Sequence, residues 1–242
     1  MEPRLSYPGG KNGAGVYQQI INQMPPHSLY IEPFLGGGAV LRHKRAAAAT
    51  IAIDSDDRAI AEFQGAGLPG VTVICGDAIS WLEDAAAASA ILDDALIYAD
   101  PPYVRSTRRS MRDLYRFEMT DLQHRQLLRC LRGLNCAVII SGYWSSLYAD
   151  ELHDWRTLSF KTMTRGGGVA IEWLWMNYPE PFELHDYRYL GQNFRERERI
   201  KRKQARWADR LRRMTPIERY SMLDTIEHLR CSLATNDAAD DR

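Results

Sequence analysis

The chain has 242 residues, enough for one good-sized α/β core with a small appendage and too few for two large domains. Its hydrophobic fraction of 45% and charged fraction of 26% are ordinary for a soluble globular protein, and 31 Lys and Arg balance 31 Asp and Glu, so net charge argues neither for nor against a polyanionic partner. No apolar run approaches the roughly 18–20 uncharged residues needed to cross a bilayer, and Met1-Glu2-Pro3-Arg4 lacks the charged-then-apolar order of a signal peptide, so no membrane partner and a cytoplasmic location are expected.

In chain order, helical stretches are predicted over 13–24, 38–49, 56–66 and 77–88, the last two rich in Ala. They alternate with short apolar runs: Leu29-Tyr30-Ile31, Ile51-Ala52-Ile53, Val71-Thr72-Val73-Ile74, Ala95-Leu96-Ile97-Tyr98 and Ala137-Val138-Ile139-Ile140. These runs do not alternate with polar residues, as expected of strands buried on both faces, and the βα order predicts a doubly wound, mostly parallel sheet. Thr120-Asp121-Leu122-Gln123 fits a helix capping box ahead of a leucine stripe. Residues 170–178 read as a late strand ended by Pro179. A catalytic domain is expected over 1–190, a basic helical extension over 191–233 and a frayed tail over 234–242. Within the extension, Ile200, Trp207, Leu211 and Met214 share one helical face amid ten Arg and Lys between 195 and 213, and Thr215-Pro216-Ile217-Glu218 starts a second helix. Cys75, Cys130, Cys136 and Cys231 form no CxxC pair and read as structural, and the six histidines offer no close ligand pair, so no metal is expected.

The chemistry gathers at strand ends, where open α/β sheets bind ligands. Asp100-Pro101-Pro102-Tyr103 follows a buried strand. Its prolines stiffen the turn and lack N–H groups, leaving carbonyls without a local donor. Such a turn suits an exocyclic amine: the Asp100 carboxylate and Pro101 carbonyl would hold its hydrogens, and Tyr103 would stack on the ring that carries it. The alternative is an ordinary strand-ending turn. Glu32-Pro33-Phe34-Leu35-Gly36-Gly37-Gly38-Ala39 also links a strand to a helix. Gly36 and Gly38 after an aromatic depart from the G-x-G-x-x-G spacing tied to a pyrophosphate and favour a nucleoside without phosphates. Asp54 ends the next strand, where an acid binds ribose hydroxyls in dinucleotide folds, and Asp77 ends the third; each also fits a helix N-cap. Tyr7-Pro8-Gly9-Gly10-Lys11 alone is a turn with one cation.

Together and in this order, these segments resemble the D12 class of DNA adenine N6-methyltransferases, the group that includes the Dam-type enzymes, over about residues 5–180. The resemblance rests on Tyr7 to Lys11, Glu32 to Ala39 and Asp100 to Tyr103, with Val138 to Tyr143 and Trp173 to Tyr178 similar to later strands of that family. It implies a Rossmann-like sheet of seven strands, S-adenosylmethionine as cofactor, and double-stranded DNA as substrate with the target adenine flipped out of the helix. It further implies a bacterial or phage setting, with restriction–modification among the family's contexts. Lys11 would then hold the cofactor's methionine carboxylate, with Tyr7 and Gly9 in the same motif. Glu32, Pro33, Phe34, Gly36 and Gly38 would line the pocket, Asp54 would bind the ribose and Asp77 would approach the adenine.

One departure stands out. Larger members of the family place a target-recognition region between the third strand and the catalytic motif, but here only Ala78 to Asp94 fill the gap. Nucleic-acid contact is therefore expected from Arg105, Arg108, Arg109, Arg112 and Arg116, which are interleaved with Tyr115 and Phe117, and from the basic helix at 195–213. Two rivals stay open: adenine in structured RNA, and a binding module without catalysis. A monomer or weak dimer is expected; the target sequence is not legible.

Overall fold

The strands owe their unbroken apolar sequence to burial on both sides. In the computed structural model, which describes residues 10–13, 15–65, 67–108, 116–163 and 168–240, neighbouring residues of one strand enter opposite cores. Ile31, Ile53, Ile97, Val138 and Ile140 pack on one face of the sheet, and Tyr30, Ala52, Leu96, Tyr98 and Ile139 on the other.

The seven strands are β1 (Leu29–Glu32), β2 (Ala49–Asp54), β3 (Val71–Cys75), β4 (Ala95–Ala99), β5 (Ala137–Gly142), β6 (Arg156–Met163) and β7 (Val169–Met176), in the order β3-β2-β1-β4-β5-β7-β6. The first five are parallel, and β7 runs antiparallel between β5 and β6. This is the seven-stranded, mostly parallel Rossmann-like sheet expected. Because β1 pairs with β2 on one side and β4 on the other, the winding reverses between β1 and β4, and a crevice opens outside their carboxyl ends.

Helices α1 (Val16–Ile21), α2 (Ala39–His43) and α3 (Asp57–Gln64) cover one face, and α4 (Ala78–Ala87), α5 (Asp121–Arg132) and α6 (Ser146–Glu151) the other. The capping box at α5 forms as expected, with Gln123 N–H donating to Thr120 Oγ1 (3.3 Å) and Thr120 N–H to Gln123 Oε1 (2.9 Å). The helix expected over 38–49 stops after five residues. There the buried Asp186 carboxylate takes the Arg45 N–H (2.8 Å), and the chain goes straight into β2. Two elements escaped the sequence: the short α6, and β6, an edge strand whose Arg156, Thr157, Ser159, Lys161 and Thr162 hide its strand character.

The chain divides into two units, Met1–Tyr189 and Leu190–Arg242. The second consists of α7 (Phe194–Arg213) and α8 (Pro216–Asp240). Among the described residues no helix is long and apolar enough to cross a membrane.

Candidate active site

A cleft holding about 1070 Å³ of space, its mouth included, lies over the carboxyl ends of β1 to β4. Most of its walls come from a strand end or the loop after it, joined by Gly10 and Lys11 from the N-terminal segment. From β1 come Glu32 and the run Phe34 to Val40, from β2 Asp54, from β3 Asp77, and from β4 Asp100 and Pro102. Phe117, Glu118, Met119 and Gln123 close the far side.

The glycine loop is built for close approach. Gly36 and Gly38 take left-handed φ values of 48° and 60°, and a Cβ on Gly38 would sit 2.6 Å from the Phe63 ring. Asp54 pins this loop: its Oδ2 accepts the Gly36 N–H (2.7 Å) and its Oδ1 the Asp56 N–H (2.8 Å). Burial holds Asp54 above the usual carboxylate range despite those donors. Asp77 caps α4 by accepting the Ser80 N–H (2.8 Å) while lining the cleft, so its two readings coexist. Glu32 is buried and accepts the Tyr30 hydroxyl (2.7 Å); burial pushes its pKa up to about 8.

Beneath Asp100 lies a knot of charge. Lys11, only 5% exposed, donates to Asp100 Oδ1 (2.8 Å), Glu172 Oε1 (3.0 Å) and the Tyr103 hydroxyl (2.5 Å). Tyr103 in turn donates to Glu172 Oε1 (2.7 Å), and Ser141 Oγ donates to Asp100 Oδ1 (2.8 Å). Burial works to strip the Lys11 proton, but Asp100 and Glu172 more than offset it, and its pKa stands well above the usual ammonium value. Burial raises the Glu172 carboxyl, with Lys11 opposing. Asp100 Oδ2 and the Pro101 carbonyl accept no hydrogen bond from the described residues, so both acceptors remain open.

Two assigned roles change. An ammonium has three hydrogens, and those of Lys11 go to Asp100, Glu172 and Tyr103. Lys11 therefore lies under the Asp100 carboxylate, at the edge of the cleft, with Asp100, Glu172 and Tyr103 as hydrogen-bond partners. Tyr103 is 8% exposed, with its ring 4.5 Å from that of Tyr143 and its hydroxyl engaged on both sides, so it is not presented for stacking. The aromatics that border the cleft are Phe34, Tyr98 and Phe117, of which Phe117 is the exposed one at 46%.

The arginines expected to meet nucleic acid divide. Arg108 is buried against Glu118 (2.7 Å) and donates to the Tyr103 carbonyl. Arg116 pairs with Asp56 (2.9 Å) and Asp57, which ties the segment after the catalytic turn to the start of α3. Both serve the fold around the cleft; Arg105 lies exposed on a single 3₁₀ turn. Tyr7, Gly9, Arg109 and Arg112 lie outside the described residues. Pro33 and Pro101 shape their loops without lining the cleft. Glu172 and Ser141 were missed, although an acid inside the apolar run Ala170-Ile171-Glu172-Trp173-Leu174 was a readable signal.

No family model and no curated protein matches the chain. Among solved structures, it is similar to a precorrin 8W decarboxylase from Methanobacterium thermoautotrophicum at 16% identity and TM-score 0.48, covering 74% of this chain and 97% of that one. A SAM-dependent methyltransferase from Agrobacterium tumefaciens gives 16% and 0.44, covering 66% of this chain and 58% of that one. A dimethyladenosine transferase from Plasmodium falciparum gives 16% and 0.42, covering 66% and 60%. The chain thus spans less than two thirds of the latter two, and at these identities no activity passes from them to it.

Proposed function

We propose that the protein transfers a methyl group from S-adenosylmethionine to the N6 amino group of adenine in double-stranded DNA. The observation that carries this reading is the charge of the cleft. Asp54, Asp77 and Asp100 line it together with Glu32, which burial keeps protonated up to about pH 8, and Glu118, which pairs with Arg108, while Lys11, the one cation among its described lining residues, is already engaged below Asp100. Such walls repel phosphates and suit a nucleoside that carries positive charge and hydroxyls. The glycine loop leaves room for the nucleoside, and Asp54 and Asp77 offer acceptors to its polar groups.

When bound, the cofactor supplies an electrophilic methyl carbon on a cationic sulfur and departs as the neutral thioether. Asp100, which lines the cleft, would accept one hydrogen of the amine at Oδ2 and aim its nitrogen at that carbon, with the Pro101 carbonyl on the adjoining turn as the second acceptor once the amine reaches past the cleft lining. Methylation would make the amine nitrogen acidic, and Asp100 would accept its proton at Oδ2 and release it to water. Lys11 and Ser141 hold Asp100 Oδ1, which keeps Oδ2 directed at the substrate. An adenine within a duplex must leave the stack to reach this turn, at a cost of about a few kcal/mol.

The test is incubation with methyl-labelled cofactor and either duplex DNA or structured RNA. Label on adenine N6 of DNA is expected. Label in RNA alone would overturn the substrate, and failure to bind S-adenosylmethionine would overturn the reaction.

A further inference from the structure

The second unit shows a pattern that the site does not absorb. Helix α7 holds ten Arg and Lys against Glu196, Glu198 and Asp209. Projected at about 100° per residue, Arg195, Arg199, Arg202, Arg206, Arg210 and Arg213 fall within an arc of about 80°. They form one ridge along the helix, in steps of four, three, four, four and three residues. All six are exposed. Only two carry an acid partner within the helix: Arg199 with Glu196 (3.6 Å) and Arg213 with Asp209 (2.8 Å). From Arg195 to Arg213 the ridge is about 27 Å long at 1.5 Å rise per residue.

We infer that this ridge is a phosphate-backbone docking surface for duplex DNA, supplying affinity without sequence information; the inference rests on duplex DNA as the substrate. A ridge of this length runs beside a polymer carrying about one charge per 1.7 Å of axis, and six guanidiniums in register exchange water and counterions for phosphate oxygens. Guanidinium also suits phosphate better than ammonium does, because its fork donates two parallel hydrogen bonds. The apolar side of the helix does not fit a lipid surface. Ile200 and Leu211 are partly covered, and Trp207, the large apolar residue left open there, lies with the Arg210 guanidinium 5.7 Å from its ring centre.

The test uses the full-length protein, a labelled random-sequence DNA duplex of about three helical turns, and two variants of equal charge change. One removes two ridge residues (Arg202→Gln with Arg206→Gln). The other removes two cations that point about 120–140° from the centre line of the ridge on the same helix (Lys201→Gln with Arg212→Gln). Circular dichroism checks that both keep their helix. The ridge pair is expected to bind the duplex about tenfold more weakly at 150 mM salt and to flatten the slope of log K against log salt by about 1.8, near 0.9 for each lost phosphate contact. The control pair is expected to change affinity less than threefold.

Equal losses in the two variants would overturn the ridge in favour of diffuse charge, as would no loss in either. Binding to phosphatidylserine vesicles with none to the duplex would overturn it too. Cofactor binding and methyl transfer are measured on the same samples. Ridge-dependent duplex binding without methyl transfer would sink the proposed reaction and leave the ridge standing; transfer that ignores the ridge would do the reverse.

Discussion

The two units use charge in opposite ways. In the first, Lys11 is buried with Asp100 and Glu172, each tied to the others at 3.0 Å or less through a shared ammonium. In the second, the α7 arginines stand in water with few partners. A buried, saturated cation has no freedom to recruit a ligand; what it does is fix the direction of a carboxylate. Exposed cations fix nothing, and their value is long-range attraction that salt weakens. Lys11, read from sequence as a ligand clamp, lies among Asp100, Glu172 and Tyr103, and in the proposed reaction it serves to hold Asp100 in place.

Substitutions in the knot test this contrast most strongly. Asp100→Ala is expected to lower the methyl-transfer rate about 10³-fold while cofactor affinity, read by calorimetry, stays within a few-fold. A comparable loss of cofactor binding would instead make Asp100 a cofactor residue. Lys11→Met leaves two carboxylates buried without their cation and is expected to cost about 3 kcal/mol in denaturant unfolding, whereas Arg206→Gln on α7 should cost under about 0.5 kcal/mol. Similar costs for the two would erase the distinction between the units.

Smaller effects sharpen the picture. Glu172→Gln keeps the size and an acceptor but removes the second charge on Lys11, so kcat should fall about tenfold with the cofactor KM unchanged. A rise in KM alone would show that Glu172 shapes the pocket and does not orient Asp100. Gly38→Ala should destabilise the fold by about 1–3 kcal/mol and weaken cofactor binding, since its Cβ meets the Phe63 ring at 2.6 Å in a left-handed backbone.

The last effect is a pH dependence. Burial lifts the Glu32 carboxyl from 4.5 to about 8, so between those values the native state keeps a proton that the unfolded chain has released. Its contribution to stability is therefore full below 4.5 and declines as pH rises toward 8. A positively charged ligand favours the ionised form, so cofactor affinity should increase from pH 6.5 to 8.5. Glu32→Gln should flatten that increase in a binding titration.

Most of the fold was legible because strands buried on both faces read as unbroken apolar runs: β1, β2, β4 and β5 declare themselves in that way, while the edge strand β3 was found from its Val and Ile and β7 from its aromatics. Strand β6 was hidden because an edge strand meets water on one side, so its Arg, Thr, Ser and Lys resemble a loop. At the site, local signals worked: the proline turn and the acids ending β2 and β3 all reach the cleft. What sequence could not give were partners far apart in the chain. The Lys11 to Tyr103 bond spans 92 positions and the Tyr103 to Glu172 bond 69, and nothing near Lys11 indicates that its hydrogens are already spent.

The antiparallel course of β7 has a further consequence. Glu172 lies one residue past the last rung of β7 on β5, Trp173 against Gly142, and pairs with Phe160 of β6, so its height beside Asp100 is set by both neighbouring strands. A slip of one residue in either pairing would turn it to the other face, so the position of this acid is written into the register of both ladders.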